Sequence, residues 1–144
     1  MNLTIVDHPL AKHYLTTLRN SSTDNDAFRA AARRLTNTLV LEATRDVPAR
    51  EKPVETPMGT TTGHILADVV AVAVLRAGLG MLDAVVDMIP HVKVGFAGVQ
   101  RDEDTAEPIE YYVNLPEVDD ASVLILEPMI ATGGSLSWAV DKAT

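Results

Sequence analysis

A carboxylate and a glycine-rich turn follow one apolar stretch near the end of the chain, in the sequence LILEPMIATGGSLS. Glu127 ends the apolar run, and Thr132–Ser135 is a turn of small residues before a helix-like segment. Glycines allow positive φ and the close approach of a ligand, and the N–H groups that open a helix bind phosphate. A carboxylate repels phosphate but accepts hydrogen bonds from hydroxyl groups. The stretch therefore fits a sugar phosphate, and it equally fits an ordinary strand, glycine turn and helix.

Two arginines extend this pattern, because each follows an apolar run. Arg76 follows Val69–Leu75 and precedes small residues, and Arg101 follows residues 92–99. Arginine suits bidentate contact with phosphate oxygens. Each segment also has a simpler interpretation. The first could be a helix-capping turn with a solvent-facing Arg76, and the second could be a solvated acidic loop after Arg101. If the first turn faces a phosphate, we expect a cis peptide near Arg76–Ala77, which costs about 3–4 kcal/mol and occurs mainly at functional sites.

Several strands must position these residues. Continuous β-branched runs predict three strands buried on both faces, at residues 69–75, 92–99 and 122–126. Residues 109–115 predict a strand of a hairpin arm after a charged loop. We expect this arm to be mobile, because the acids of the loop have few expected partners. Its strand should be partly exposed or used at a subunit contact.

Apolar residues recur at spacings of three and four in three further segments, each of which we expect to be a helix. The expected buried faces are Leu10, Tyr14, Leu15 and Leu18 in residues 9–20; Phe28, Ala31, Leu35, Leu39 and Ala43 in a helix from Ala27; and Leu82, Val85, Val86 and Ile89 in residues 81–89. A fourth helix should begin at about Ser135. Residues 54–64 have the composition of an extended segment and turn.

The order strand, helix, strand, hairpin, strand, helix predicts an α/β fold with a mostly parallel sheet flanked by helices. The carboxyl ends of parallel strands share one edge of a sheet, so Arg76, Arg101 and Glu127 should converge there. This predicts a substrate with a monophosphate, hydroxyl groups and a second, highly charged phosphate group. We expect one domain over 1–144, with helices at about 9–46 and a binding core at about 66–144. The domain should be C-terminally incomplete, because its last helix would lack cover.

Composition limits the function classes. The chain has 144 residues, no cysteine and a net charge of −8. The charge argues against a nucleic-acid partner, and the lack of cysteine excludes disulfides and cysteine-ligated metals. The apolar runs are too short to cross a bilayer, and the N-terminus lacks the pattern of a signal peptide. We therefore expect a cytoplasmic protein that has no membrane partner.

Other ligand-binding motifs are incomplete. No lysine follows Gly134, as a Walker A loop requires. Gly78 and Gly80 form a G-x-G pattern without the third glycine of a dinucleotide fingerprint. His8 and His13 lie five residues apart, whereas a helical pair of metal ligands needs three or four. We expect no histidine metal site.

The motif EPMIATGGS is similar to the phosphoribosyl diphosphate (PRPP) motif of type I phosphoribosyltransferases, and its proline after the acid resembles uracil phosphoribosyltransferases in particular. Five further stretches resemble that family in order: HPLAKHYLTTLRN, FRAAARRLTNTLVLEATRDVP, ETPMGTTTG, VLRAGLGMLDAVVDMIP and KVGFAGVQRDEDTAEPIEYYVNLP. The resemblance runs from about Asp7 to the end. It implies a type I phosphoribosyltransferase fold and a glycosyltransferase of pyrimidine salvage, which converts uracil and PRPP to UMP and pyrophosphate.

The resemblance also implies roles for individual residues. Arg76 and Arg101 would contact the diphosphate part of PRPP, and Glu127 the ribose hydroxyls, which makes these three the expected catalytic residues. The PRPP-binding residues would be Arg76, Arg101, Glu127, Pro128, Met129, Ile130, Ala131, Thr132, Gly133, Gly134 and Ser135. Mg²⁺ would be the cofactor, carried by PRPP and without a direct protein ligand. The family likeness further implies a homo-oligomer and GTP binding.

Two departures from the family pattern leave alternatives open. The family usually has Asp at the position of Glu127, and a displacement of about 1 Å in a catalytic group can cost on the order of 10²-fold in rate. The family's uracil-binding segment, which carries a Gly-rich stretch and an acid near the diphosphate, is expected to be missing, so no uracil-binding residue is assigned in this chain. The alternatives are a non-catalytic module that binds PRPP or a nucleotide, and a partner subunit of a full-length homologue.

Overall fold

The computed structural model describes residues 3–101 and 108–143, with only the backbone described at Arg101 and Pro108. Its elements are α1 (Pro9–Arg19), α2 (Asn25–Ala43), β1 (Ala49–Thr56), β2 (Gly59–Leu66), β3 (Val69–Leu75), α3 (Leu79–Met88), β4 (Lys93–Arg101), β5 (Pro108–Asn114), β6 (Ser122–Leu126) and α4 (Gly134–Ala143). Strands β3 and β6 have the predicted bounds. The prediction that β6 is buried on both faces is wrong, because β6 lies at an edge of the main sheet, where only Leu126 is buried and the other four residues are half-buried. None of the helices in the described ranges is long and apolar enough to span a membrane.

The main sheet has the strand order β5-β4-β3-β6. Strand β3 pairs in parallel with both β4 and β6, and β5 pairs antiparallel with β4. The central position of β3 explains its composition, since Val70, Ala71, Val72 and Ala73 are 0% exposed and a central strand of a covered sheet needs apolar side chains on both faces. The predicted mostly parallel α/β fold is confirmed.

Helices cover both faces of this sheet. On one face, Val69 and Ala71 pack in a cluster with Val40 of α2 and Val85 of α3. On the other face, Val70, Val72 and Val74 pack in a cluster with Ala139 of α4. Successive residues of a strand point to opposite faces, so one uninterrupted apolar run supplies both clusters. The carboxyl ends of the parallel strands remain at the edge between these two helical layers.

The first two helices are present, but their buried faces differ from the prediction. The first helix buries Ala11, whereas Leu10 and Leu15 are exposed. The second buries Ala31, Thr36 and Val40, whereas Phe28, Leu39 and Ala43 are exposed and Leu35 is half-buried. Spacing defines an apolar stripe but not which margin of it meets the neighbouring helix. Here α2 meets its neighbours through the smaller side chains, and the larger ones lie at the outer margin.

Helix α3 shows the same effect on a smaller scale. Val85 and Ile89 are buried as predicted, and Leu82 is half-buried. Val86 is 47% exposed, contrary to the prediction, and Ala84 takes the buried position instead. The apolar pattern alone therefore indicated the wrong position for Val86, because the buried face of α3 is centred on Ala84 and Val85.

Residues 49–66 form a hairpin. The sequence predicted only an extended segment and turn at residues 54–64. Strands β1 and β2 pair along their full length, from Ala49 opposite Leu66 to Thr56 opposite Gly59, in a sheet of their own. All residues of β1 are exposed. Thr, Gly and Pro in this stretch hide the alternation that normally signals a strand. Gly59 accommodates the turn with φ of 122°.

Strand β5 is the strand predicted at residues 109–115, and it forms an edge of the main sheet. Ile109, Tyr111 and Tyr112 are 41%, 51% and 45% exposed, which confirms the predicted partial exposure. The loop expected to be mobile, residues 102–107, lies outside the described residues. Its mobility stays a prediction.

Candidate functional site

The parallel strands end at one edge of the sheet, as the sequence predicted. Leu75 of β3 lies opposite Gly98 of β4, and Ala73 of β3 lies opposite Leu126 of β6. Arg76 and Glu127 directly follow two of these neighbouring strands. The backbone of Arg101 ends β4 at the same edge, but its side chain lies outside the described part of the chain. The structure thus brings two of the three predicted charged residues to one edge.

The turn after β3 leads directly into α3. Arg76 is exposed, and its carbonyl accepts a hydrogen bond from Leu79 N at 3.2 Å. Gly78 N donates to Val74 O at 2.8 Å. The cis peptide expected near Arg76–Ala77 is found at the preceding bond, between Leu75 and Arg76. The turn therefore presents the Arg76 side chain to solvent at the carboxyl edge.

Gly78 joins this turn to the end of β6. It is buried, and a Cβ at this position would collide with the carbonyl oxygen of Leu126 and lie 2.7 Å from Val74 N. Its φ and ψ of −59° and −21° are available to any residue, so the close approach is what requires glycine here. Sequence reasoning treated Gly78 only as part of an incomplete nucleotide motif. The contact places the Arg76 turn against the residue that precedes Glu127.

An open cleft of about 550 Å³ lies beside Arg76. Its lining residues are Leu75, Arg76, Val99, Gln100 and Tyr111. The volume is in the range of small-molecule sites. Sequence reasoning identified Arg76 but missed Gln100 and Tyr111. Gln100 could have been found as the polar residue near the end of a buried strand, whereas Tyr111 reaches the cleft only through strand pairing.

Glu127 and the glycine turn form a second, smaller depression of about 30 Å³. Its lining residues are Glu127, Met129, Ile130, Ala131, Gly133, Ser135 and Leu136. The carboxylate of Glu127 accepts a hydrogen bond from Met129 N at 3.4 Å, which holds it at the mouth of the loop. Sequence reasoning did not assign Leu136 to this site.

The loop turns at a glycine directly before a helix. Gly133 has φ of 85°, which only glycine adopts readily, and α4 begins at the next residue. The first N–H groups of a helix have no partner within the helix and carry a partial positive charge. Pro128, Met129, Ile130, Ala131 and Thr132 are exposed, and Gly133, Gly134 and Ser135 are half-buried. All predicted residues of the motif thus lie on this loop or the first turn of α4.

The two pockets differ in the groups that they offer. Arg76 supplies a full positive charge to the larger cleft. The smaller depression lies at the start of α4, and Glu127 supplies an acceptor for hydroxyl groups there. No group of three histidine or acidic side chains that could hold a metal ion occurs in residues 3–101 and 108–143.

Comparisons with known proteins identify the family. The sequence model of the family described as uracil phosphoribosyltransferase matches residues 5–144. A uracil phosphoribosyltransferase from Salinibacter ruber is 45% identical over 142 residues, which are 97% of this chain and 68% of that protein. One from Alkaliphilus oremlandii is 43% identical over 142 residues, covering 96% and 68%.

The fold agrees with this match. The solved structure of the AQ2163 protein from Aquifex aeolicus superposes with a TM-score of 0.89 at 39% identity, and it covers 99% of this chain and 68% of that one. The predicted type I phosphoribosyltransferase-like fold is thereby confirmed. Since the sequence match spans both helical layers, the sheet and both site loops, the chain belongs to the uracil phosphoribosyltransferase family, a family of glycosyltransferases.

Proposed function

We propose that this chain binds PRPP and transfers its phosphoribosyl group to uracil, which yields UMP and pyrophosphate. The observation that carries the proposal is the contact at Gly78, which joins the Arg76 turn to the end of β6 just before Glu127. This contact sets a cationic cleft beside a loop suited to a sugar phosphate. Membership of the family supports the same substrates.

The ribose 5-phosphate part of PRPP would lie on the loop at residues 127–136, with its phosphate group at the small depression. Backbone N–H groups around Gly133 and the positive end of α4 would hold the phosphate. Glu127 would accept hydrogen bonds from the ribose hydroxyls. Its existing bond from Met129 N orients the carboxylate before the substrate arrives.

The diphosphate part would occupy the cleft beside Arg76, with Arg101 as a second cation from the end of β4. Cleavage of the bond between the ribose C1 and the diphosphate leaves positive charge on the sugar and a polyanion that departs. Positioned cations stabilise that developing negative charge more strongly than the ground state, and this lowers the barrier. The protein itself forms no covalent bond to the substrate in this proposal.

Magnesium enters this proposal with the substrate. The diphosphate and ribose oxygens of PRPP are the hard ligands that Mg²⁺ prefers, and Mg²⁺ commonly binds substrate phosphates rather than a cage of protein groups. The described residues fit that mode, since they offer Glu127 as a single acid at the loop and no cluster of acids. When bound, the ion supplies positive charge to the leaving diphosphate.

We also propose that the chain forms a homo-oligomer through the β1–β2 hairpin. A two-stranded hairpin is marginally stable on its own, and this one exposes Val54, Met58, Ile65 and Leu66. Burial against a second copy would remove these side chains from water. Size-exclusion chromatography with light scattering tests this proposal. A monomer at micromolar concentration would contradict it.

A binding experiment tests the PRPP site. Titration calorimetry with PRPP and MgCl₂ would compare the wild type with Arg76→Ala, and with Arg34→Ala as a control that removes an exposed arginine from α2. Hydrogen bonds to charged groups contribute about 1.5–3 kcal/mol, so we expect Arg76→Ala to weaken binding by at least roughly tenfold. The control should bind as the wild type does. Equal affinities for the wild type and Arg76→Ala would contradict the assigned role.

Turnover is measured separately from binding, because the chain spans 68% of the length of its relatives. The assay follows conversion of radiolabelled uracil to UMP. UMP formation that depends on PRPP supports the transferase. PRPP binding without UMP formation supports the alternative of a non-catalytic PRPP-binding module. If the wild type binds neither PRPP nor ribose 5-phosphate, both the transferase and the non-catalytic PRPP-binding module are refuted.

A further inference from the structure

The cleft beside Arg76 contains a tyrosine that no motif indicates. Four of its lining residues, Leu75, Arg76, Val99 and Gln100, come from the ends of the parallel strands β3 and β4. The fifth, Tyr111, comes from the antiparallel edge strand β5 and is 51% exposed. Its presence at the carboxyl edge therefore needs a structural cause.

An irregularity in strand pairing places Tyr111 there. Gly98 of β4 pairs with Tyr112, and the next residue, Val99, pairs with Glu110, so Tyr111 is an extra residue in a β-bulge. Bulges re-aim side chains and occur frequently beside active sites. The bulge sets Tyr111 and Tyr112 opposite the same glycine. Gly98 also lies opposite Leu75, the residue before Arg76.

The ring of Tyr111 lies directly on Gly98. A Cβ added to Gly98 would be 2.8 Å from Cε2 of Tyr111 and 3.0 Å from its Cζ. The absence of a side chain at Gly98 thus makes room for the ring against β4. Packing accounts for the ring, and phenylalanine would pack equally well. It does not account for the hydroxyl group.

The two neighbouring tyrosines differ in their hydroxyl groups. Tyr112 Oη accepts a hydrogen bond from Asn114 Nδ2 at 3.3 Å. No hydrogen bond to Tyr111 Oη is present within the described part of the chain. A phenol is an uncharged donor near neutral pH. Together with the Arg76 guanidinium, the O–H of Tyr111 gives the described part of the cleft two donors suited to phosphate oxygens.

We propose that Tyr111 is a substrate-binding residue, whose phenol O–H donates a hydrogen bond to the diphosphate group held at Arg76. This inference rests on the proposed function and adds to it a residue from outside the parallel strands. It also assigns a purpose to the bulge, which orients a donor at the diphosphate and away from the ribose 5-phosphate loop.

The test measures two probes on three proteins. Calorimetry with inorganic pyrophosphate plus MgCl₂, and separately with ribose 5-phosphate, compares the wild type, Tyr111→Phe and the matched control Tyr112→Phe. We expect Tyr111→Phe to bind pyrophosphate roughly tenfold more weakly, because one hydrogen bond to a charged group is lost. Its affinity for ribose 5-phosphate should not change. Tyr112→Phe should bind both probes as the wild type does.

The outcomes separate this inference from the proposed function. If Arg76→Ala weakens PRPP binding but Tyr111→Phe binds pyrophosphate normally, the inference alone fails. If Tyr111→Phe weakens both probes equally, the hydroxyl has no specific role at the diphosphate and the inference also fails. If the wild type binds neither PRPP nor pyrophosphate, both are overturned. The ratio of the two affinities stays informative if Tyr111→Phe lowers the melting temperature, because loss of folded protein reduces the bound fraction of both probes alike.

Discussion

Substitution of Gly78 by alanine tests the contact on which the site depends. The added Cβ would collide with Leu126 O and lie 2.7 and 2.8 Å from Val74 N and O. All three are main-chain atoms of paired strands, so no side-chain rotation can relieve the overlap. Overpacking in a well-packed core costs typically 1–3 kcal/mol, and we expect the upper half of that range, about 2–3 kcal/mol. For a chain of this size the loss corresponds to a melting temperature lower by about 6–12 °C.

Gly80 provides a matched control two residues later. It lies in the first turn of α3, and a Cβ there would meet no atom within 4 Å. Because alanine favours helices over glycine, Gly80→Ala should stabilise the protein by about 0.5 kcal/mol. The two glycine-to-alanine changes should therefore shift the free energy of unfolding in opposite directions, although they are chemically identical.

Urea denaturation of both variants and calorimetry with ribose 5-phosphate provide the measurements. We expect Gly78→Ala to lose affinity as well as stability, because displacement of Leu126 moves Glu127 with it. A Gly78→Ala protein as stable as the wild type would refute the close approach. If both variants were destabilised equally, the requirement for glycine would come from conformational freedom in the turn rather than from the contact.

Three further predictions concern the loop and the helices. Gly133→Ala should cost about 1 kcal/mol and weaken ribose 5-phosphate binding, because φ of 85° strains any residue with a Cβ; unchanged stability and affinity would contradict this. Asp24→Ala should lower the free energy of unfolding by about 1 kcal/mol in urea titrations, because Asp24 caps α2 through hydrogen bonds from Asp26 N and Ala27 N. The hydrogen bond and charge of Lys12 lower the pKa of Asp7. The contribution of this pair to the stability of the folded protein is therefore present above the ordinary pKa of Asp and is lost as pH falls through the lowered value. An NMR titration should show the Asp7 pKa rising in Lys12→Ala, and no rise would contradict the pairing.

Local patterns in the sequence were sufficient to predict the central strand β3 and the positions of Arg76 and Glu127 at the carboxyl edge of the sheet. Val69–Leu75 is recognisable because a strand covered on both faces must be continuously apolar. Ser122–Leu126 has the predicted bounds, but it is an edge strand and only Leu126 is buried. Arg76 and Glu127 were found because parallel strands end at one edge. The turn at Gly133 was predicted from its small residues and glycines, which also fit an ordinary turn between a strand and a helix.

Relations between distant segments were decided only by the tertiary structure. The faces of α1 and α2 depended on which margin of an apolar stripe meets the neighbouring helix. Spacing along one helix does not contain that information, so exposure of Phe28 and Leu39 could not be predicted. The β1–β2 hairpin depended on pairing between two polar, glycine-containing segments that lack the usual alternation of a strand.

Two contacts at the candidate site also join distant segments and could not be predicted from local patterns. Gly78 is required by an approach to Leu126, which lies 48 residues later in the chain. Tyr111 reaches the cleft because a bulge in the β4–β5 pairing adds one residue opposite Gly98. Both depend on strand register, which is a property of two segments together. The sequence by itself determined which charged residues and glycines follow the ends of the strands, and the tertiary structure decided how closely their turns approach and which neighbours share the cleft.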